Sequence, residues 1–219
     1  MITAARWSLL LSAILAVNAA TAGDAKTLNA TRYANAVGQL GVIILEVNWG
    51  RQWNCDVYEN VQIQKLEFSS FPASENARHE IRLRTPSKLT SDDAYVPIAM
   101  LVEPETYAIT GFDIKTARSA TDIAHVVGTT AELIQDGAPV GGTFTIKAGE
   151  ITYLGHFSLD CDEGIIPWRY FLSDRSEFQR YVDRFREWYP FTAGTPVEYR
   201  LFSTSTMGIP NTLDDPLVY

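Results

Sequence analysis

"GGTFTIKAGEITYLGHFSLDC", Gly141 to Cys161, decides the fold class. Phe144 and Ile146 alternate with threonines, Lys147-Ala148-Gly149-Glu150 turns the chain, and Ile151, Tyr153 and Leu154 lead away. That pattern predicts a β-hairpin. The same two-residue period extends outward in both directions. "GVIILEVNW" (Gly41 to Trp49) is a continuous β-branched run and predicts a buried strand. "VYENVQIQKLEFSSF" puts Val61, Ile63 and Lys65 on one face, then shifts to Leu66 and Phe68, and a phase change inside a strand predicts a bulge. "ARHEIRLRTP" alternates Ile81 and Leu83 against His79, Arg82 and Arg84. "YVPIAMLVEPETYAITGFDIK" reads as two strands broken near Glu103-Pro104, "HVVGTTAELI" as one more with a weak point at Gly128, and "PVEYRLFS" as a last one through Val197, Tyr199 and Leu201.

One segment departs from this period. In "SDRSEFQRYVDRFREWYP" the residues Phe178, Tyr181, Val182, Phe185 and Trp188 recur at helical spacing. Asp174 as N-cap with Glu177 three residues later predicts a capping box, and Pro190 a stop, giving an amphipathic helix over about 174–189. Its outer face mixes Arg180, Asp183, Arg184 and Glu187, which fits a solvated face better than a membrane surface. Many short strands and one late helix define a mainly β fold: an antiparallel β-sandwich over residues 37–219 carrying a helix, read as a single domain. The helix and the continuous run Val42 to Leu45 count against a closed outer-membrane barrel.

The first 22 residues read as a secretory signal peptide: Arg6, an apolar run from Trp7 to Val17, and Ala20-Thr21-Ala22 before Gly23. Residues 23–36 are small and polar without a period and are expected to be a mobile mature N-terminus. After cleavage about 200 residues remain, with no second apolar stretch of spanning length. The formal charge of −8 becomes −9 once Arg6 is lost. An acidic chain without a basic stripe argues against nucleic acid and anionic lipid as partners.

Two cysteines, Cys55 and Cys161, stand 106 positions apart. In an exported chain they predict a disulfide, worth about 4 to 5 kcal/mol through lost unfolded-state entropy. The surrounding "NWGRQWNC" offers Trp49, Arg51 and Trp53 as a candidate binding surface, because indole supplies a flat apolar face and guanidinium a fork of donors. The alternative is that Trp49 finishes a strand and Trp53 covers the bridge. A bridge would also gather Asp56, Asp160, Asp162 and Glu163, a set of oxygens suited to calcium, although the spacing matches no EF-hand. No other cofactor is indicated. His79, His125 and His156 are far apart in sequence and each stands alone, and no nucleophile elbow, metalloprotease helix, P-loop or dinucleotide fingerprint occurs.

"EPETYAITGFDI" followed by "GGTFTIKAGEITYLGHF" resembles exported bacterial proteins of uncharacterised function with a prealbumin-like β-sandwich. Those proteins carry a "Leu-x-Pro-Gly-x-Tyr" strand opening and a "Phe-x-Val-x-Ala-Gly-Glu-x-x-Tyr-Leu-Gly" hairpin. This chain matches the second at Phe144, Ala148, Gly149, Glu150, Tyr153, Leu154 and Gly155, and departs from the first, with Glu105 after Pro104 where glycine is usual. The resemblance covers residues 95–160 and implies a fold and an envelope setting, with no catalytic residue. The resulting expectation is a non-enzymatic periplasmic or secreted sandwich that binds an envelope protein or glycan. Its rivals are a secreted hydrolase with a site assembled from distant strands around His156, and a structural subunit of a surface assembly.

Overall fold

The computed structural model describes residues 26–36, 38–72, 79–86, 95–162, 164–200, 204, 206–209 and 213. The first 22 residues, expected to be a signal peptide, lie outside these, as do Glu163 and Leu201. In chain order the elements are β1 (Lys26–Thr27), α1 (Ala30–Ala36), β2 (Gly41–Asn48), β3 (Gln52–Cys55), β4 (Tyr58–Ser70), β5 (Glu80–Arg84), β6 (Tyr95–Val102) and β7 (Thr106–Ala117). Then follow β8 (Ile123–Gly128), α2 (Thr130–Leu133), β9 (Ile134–Gln135), β10 (Ala138–Pro139), β11 (Thr143–Thr145), β12 (Ile151–Asp160), β13 (Ile166–Tyr170), α3 (Arg175–Trp188) and β14 (Val197–Tyr199). Sheet I runs β1-β6-β2-β12-β13, with β14 also on β12; sheet II runs β11-β7-β4-β3, with β5 on β4 and β8 on β7. The short ladder of β9 with β10 stands apart.

The chain is mainly β, a sandwich of two sheets with a late helix, as the alternation predicts. Alternate residues of β2 explain the layering. Ile43, Leu45 and Val47 point between the sheets, with Phe68, Leu83, Phe112 and Phe157. Val42 and Ile44 point the other way, into a second core with Ala99, Ile151, Tyr153, Tyr181 and Phe185 of α3. A strand segment buried on both faces is apolar throughout, which is why "GVIIL" (Gly41 to Leu45) shows no alternation before Glu46. Its pairing with β12 is parallel, while β6 on its other side is antiparallel.

The stretch 141–161 is not a hairpin. Its first arm, β11, pairs with β7 in sheet II, and its second, β12, pairs with β2 and β13 in sheet I. The turn's hydrogen bonds show why. Ile146 N donates to Glu105 O, whereas Gly149 N donates to Leu40 O, and Val42 N donates to Glu150 O. Each arm is thus held by a different sheet, and the turn arches across the core with Phe144 and Ile151 both buried. Local alternation cannot distinguish an arch from a hairpin, because both place apolar residues on either side of a Gly-containing turn.

The phase shift in β4 is a bulge: its register with β7 slips between Ile63 and Lys65, and again between Glu67 and Phe68. The strand expected through "HVVGTTAELI" stops at Gly128, and a helical turn follows in which Glu132 accepts from the N–H of Thr129. The mobile N-terminus is corrected from Lys26 onward: β1 pairs with β6, and Leu28 and Ala36 are buried in the second core. Helix α3 begins at its predicted cap, where Asp174 Oδ1 accepts from Glu177 N at 2.9 Å. The Glu177 carboxylate reaches one residue further back than a capping box requires, to Ser173 N and Oγ. Trp188, expected on the buried face, is half exposed.

Candidate functional site

Cys55 and Cys161 form the disulfide, with Cα atoms 5.1 Å apart. It ties the β3–β4 hairpin of sheet II to the end of β12 in sheet I. Two left-handed residues shape that hairpin, Asn54 (φ 57°) and Asp56 (φ 52°), a conformation that Asn and Asp adopt more readily than most residues. In an unbroken strand Trp53 and Cys55 would share a face. The left-handed Asn54 separates them, so Cys55 turns into the core while Trp53 stays 45% exposed. Gln52 Nε2 donates to Ser158 Oγ, and Gln62 Nε2 donates to Trp49 O, closing the seam between the sheets.

Of the three candidate binding residues, Trp49 is corrected: it is 0% exposed and belongs to the core between the sheets. It ends the buried run of β2, so it presents no face to a partner. Arg51 and Trp53 are exposed, and Val57 at the hairpin tip and Tyr95 at the start of β6 are exposed at the same end of the sandwich. Their side chains part company, since Trp53 lies opposite Asn60 in sheet II while Tyr95, opposite Asn48 in sheet I, holds its ring 5.9 Å from that of His156.

The acidic residues of that end have local duties. Asp56 is exposed and sets the left-handed corner of the hairpin turn. Asp160 Oδ1 accepts from Asp162 N at 2.8 Å. Among the described residues no three His, Cys, Asp or Glu side chains gather as a metal site, and Glu163 lies outside them.

A second constellation lies on the opposite face of sheet I, beside α3. Gly155 (φ +104°) sits where the register of β12 against β2 slips, between Tyr153 and His156. The extra residue turns His156 toward α3 while Leu154 and Phe157 face the core between the sheets. His156 then stands in a cross-strand row with Glu46 on one side and Tyr170 on the other. Its ring lies 5.7 Å from that of Tyr153, 5.5 Å from Tyr181 and 5.9 Å from Tyr95. Only glycine fits the slip, since a Cβ there would come within 2.8 Å of both Arg169 Cγ and Tyr170 O.

The electrostatics of this niche are set by burial. His156 Nε2 is 3.8 Å from Glu46 Oε2, beyond hydrogen-bond reach, and is buried without a hydrogen-bond partner. Burial, then repulsion from Arg184, holds the imidazole down to about 4, against the pull of Glu177, so it is neutral at pH 7. Burial pushes the Glu46 carboxyl up, with Arg184 opposing. The Tyr153 hydroxyl is buried and unpaired, and burial drives its pKa well above the ordinary tyrosine value. Arg169 runs between Gly155 and Gly208 and donates from Nη2 to Ile209 O; burial lowers its pKa to about 10, leaving it charged at neutral pH. The niche can therefore accept or donate a hydrogen bond through neutral groups. Among the described residues no hydroxyl hydrogen-bonds Nε2, as a serine nucleophile activated by His156 would.

The three histidines do not stand alone. His79 Nδ1 is 3.0 Å from Glu105 and His125 Nδ1 2.6 Å from Asp113, besides the His156–Glu46 approach. Each carboxylate is distant in sequence and arrives through folding. Glu46, Tyr153, Tyr181 and Arg184 were missed for that reason; the one local signal was glycine inside a strand at position 155. No protein-family model matches this chain, and no curated protein or solved structure matches it.

Proposed function

We propose that this is an exported binding protein, periplasmic or secreted, that engages an envelope protein or glycan through its disulfide-tied end. The carrying observation is Trp53, an indole 45% exposed on a hairpin fixed covalently at Cys55. The exposed part of a large apolar side chain on a tethered hairpin gains nothing within its own chain, and the side chain loses little freedom when a partner covers it. Arg51 and Val57 extend this surface with one cation and one more apolar group. The disulfide, the leader-like first 22 residues and the resemblance to exported sandwich proteins support the setting. Among the described residues no helix is long and apolar enough to cross a membrane.

The test is photo-crosslinking in cells from Val57, with Trp188 as control site, alongside co-sedimentation of purified protein with insoluble envelope glycan. Either a discrete protein adduct at Val57 or glycan retention, reduced at least tenfold by Trp53→Ala, is expected. Equal retention by the variant would remove Trp53 from the interface. Turnover of ester, peptide or glycan substrates that His156→Ala abolishes would replace binding by the hydrolase reading.

A further inference from the structure

We infer that two copies of this chain associate edge to edge through β8, extending sheet II across a twofold axis that passes beside His125. The inference starts from hydrogen-bond parity. Arg118 N donates to Asp122 O at the turn between β7 and β8, and the register continues as Ala117 opposite Ile123 and Lys115 opposite His125. In an antiparallel ladder, alternate residues bond to the neighbouring strand and those between point away. Residues 122, 124, 126 and 128 therefore face β7, and the N–H and C=O groups of Ile123, His125 and Val127 point outward. Among the described residues β8 pairs only with β7.

The side chains agree with an open edge. Ile123 and Val127 are each 49% exposed, and Ala124 and His125 are exposed as well. Edge strands that avoid association usually carry lysine, proline or inward charges. "IAHVVG" carries no Asp, Glu, Lys, Arg or Pro, in a chain whose formal charge is −8. The strip is thus where two acidic copies can approach without opposing carboxylates.

A second copy fits because the strand is complementary to itself. Turned about His125, the strand sets Ile123 of one copy opposite Val127 of the other, twice, with His125 opposite its counterpart. All three pairs consist of outward-pointing residues, so each exchanges two backbone bonds, about six in all. Ile123, His125 and Val127 share one face by the two-residue period, giving two aliphatic cross-strand contacts around the axis. Asp122 falls opposite Gly128, which offers no side chain to meet it. His125 is held by Asp113 at 2.6 Å, so its ring leans along its own sheet.

The test is sedimentation equilibrium of the oxidised protein at 1 to 100 μM, with Val127→Lys, Val127→Pro and His125→Cys. The protein should reach twice the mass of one chain within this range. Lysine would set a cation opposite Ile123 twice, and proline would remove an outward N–H that the chain's own sheet does not use, so both should remain monomeric and folded. In His125→Cys the axis places each new thiol opposite its twin, about 5.5 Å apart at Cα, within disulfide reach. Mild oxidation should give a covalent dimer through position 125. A wild-type monomer at 100 μM, a dimer unaffected by Val127→Lys, or no link at position 125 in the dimer would each overturn the inference. None of these outcomes bears on Trp53, which lies on the opposite edge of sheet II.

Discussion

The disulfide-tied end and the niche beneath α3 lie on the same sheet I strand, β12, and are built on opposite terms. At the end, Trp53 and Val57 are apolar and exposed, on a backbone locked by a covalent bond. In the niche, His156, Glu46 and Tyr153 are polar and buried, on a backbone bent by Gly155. The first leaves hydrophobic surface in water, which the fold tolerates because the bridge supplies stability that the hairpin's own contacts do not. The second removes polar groups from water without full compensation, which is destabilising, though less so for neutral groups than for charged ones. The difference teaches that each region's chemistry is only as available as its backbone is fixed.

The comparison breaks first at the bridge. Reduction, or Cys55→Ala with Cys161→Ala, should lower unfolding stability by about 4 to 5 kcal/mol, read from urea curves with and without reductant. A loss under about 1 kcal/mol would mean that the hairpin is held by its packing and the disulfide does not set its position. In the niche the corresponding change is Gly155→Ala. It adds a Cβ 2.8 Å from a backbone oxygen at a left-handed φ, and should cost about 3 to 4 kcal/mol. Circular dichroism melting checks it; a neutral substitution would show that the slip in β12 can relax.

A gentler probe is pH. The imidazole titrates near 6.5 in the unfolded chain and near 4 in the fold. Above pH 6.5 neither state is protonated and the stability is intact. As pH falls toward 4 the unfolded chain takes up a proton that the folded niche refuses, and stability should drop by about 3 kcal/mol. Glu46 acts in the opposite direction. Its raised pKa lets the fold take up a proton earlier on acidification, so it partly restores stability within the carboxylate range. The fall in stability as pH drops below 6.5 is therefore the His156 contribution, opposed by Glu46, and His156→Gln should remove it in urea titrations at fixed pH.

Much of the fold was legible because burial writes a local pattern. The bulge in β4 showed as a phase change at Lys65 and Leu66, the α3 cap as Asp174, and the two-faced burial of β2 as an unbroken apolar run. The bridge was legible from two cysteines in a chain whose first 22 residues read as a leader. The arch at 146–151 was not, since its two arms look alike and only their partners, Glu105 and Leu40, differ. Nor was the helix from Ala30, whose sequence "ATRYANA" shows one aromatic and no clear stripe, and which is held by tertiary packing through Tyr33 and Ala36. The niche was invisible for a related reason. Glu46, His156 and Tyr181 come from three elements, and no spacing links them.

The smallest expected effect on stability is the most informative about function. Trp53→Ala removes a side chain that its own chain leaves nearly half in water, so unfolding stability should fall by only about 1 to 2 kcal/mol. Binding should fall far more, since a rigid exposed indole is the kind of group that anchors an interface. The ratio of the two effects separates the roles open to this tryptophan. If it covers the bridge, as core tryptophans do in other sandwiches, the variant will lose stability and the Cys55–Cys161 bond will reduce faster. If it is a contact surface, reduction will match the wild type and melting will fall only slightly, while retention of the proposed envelope partner drops.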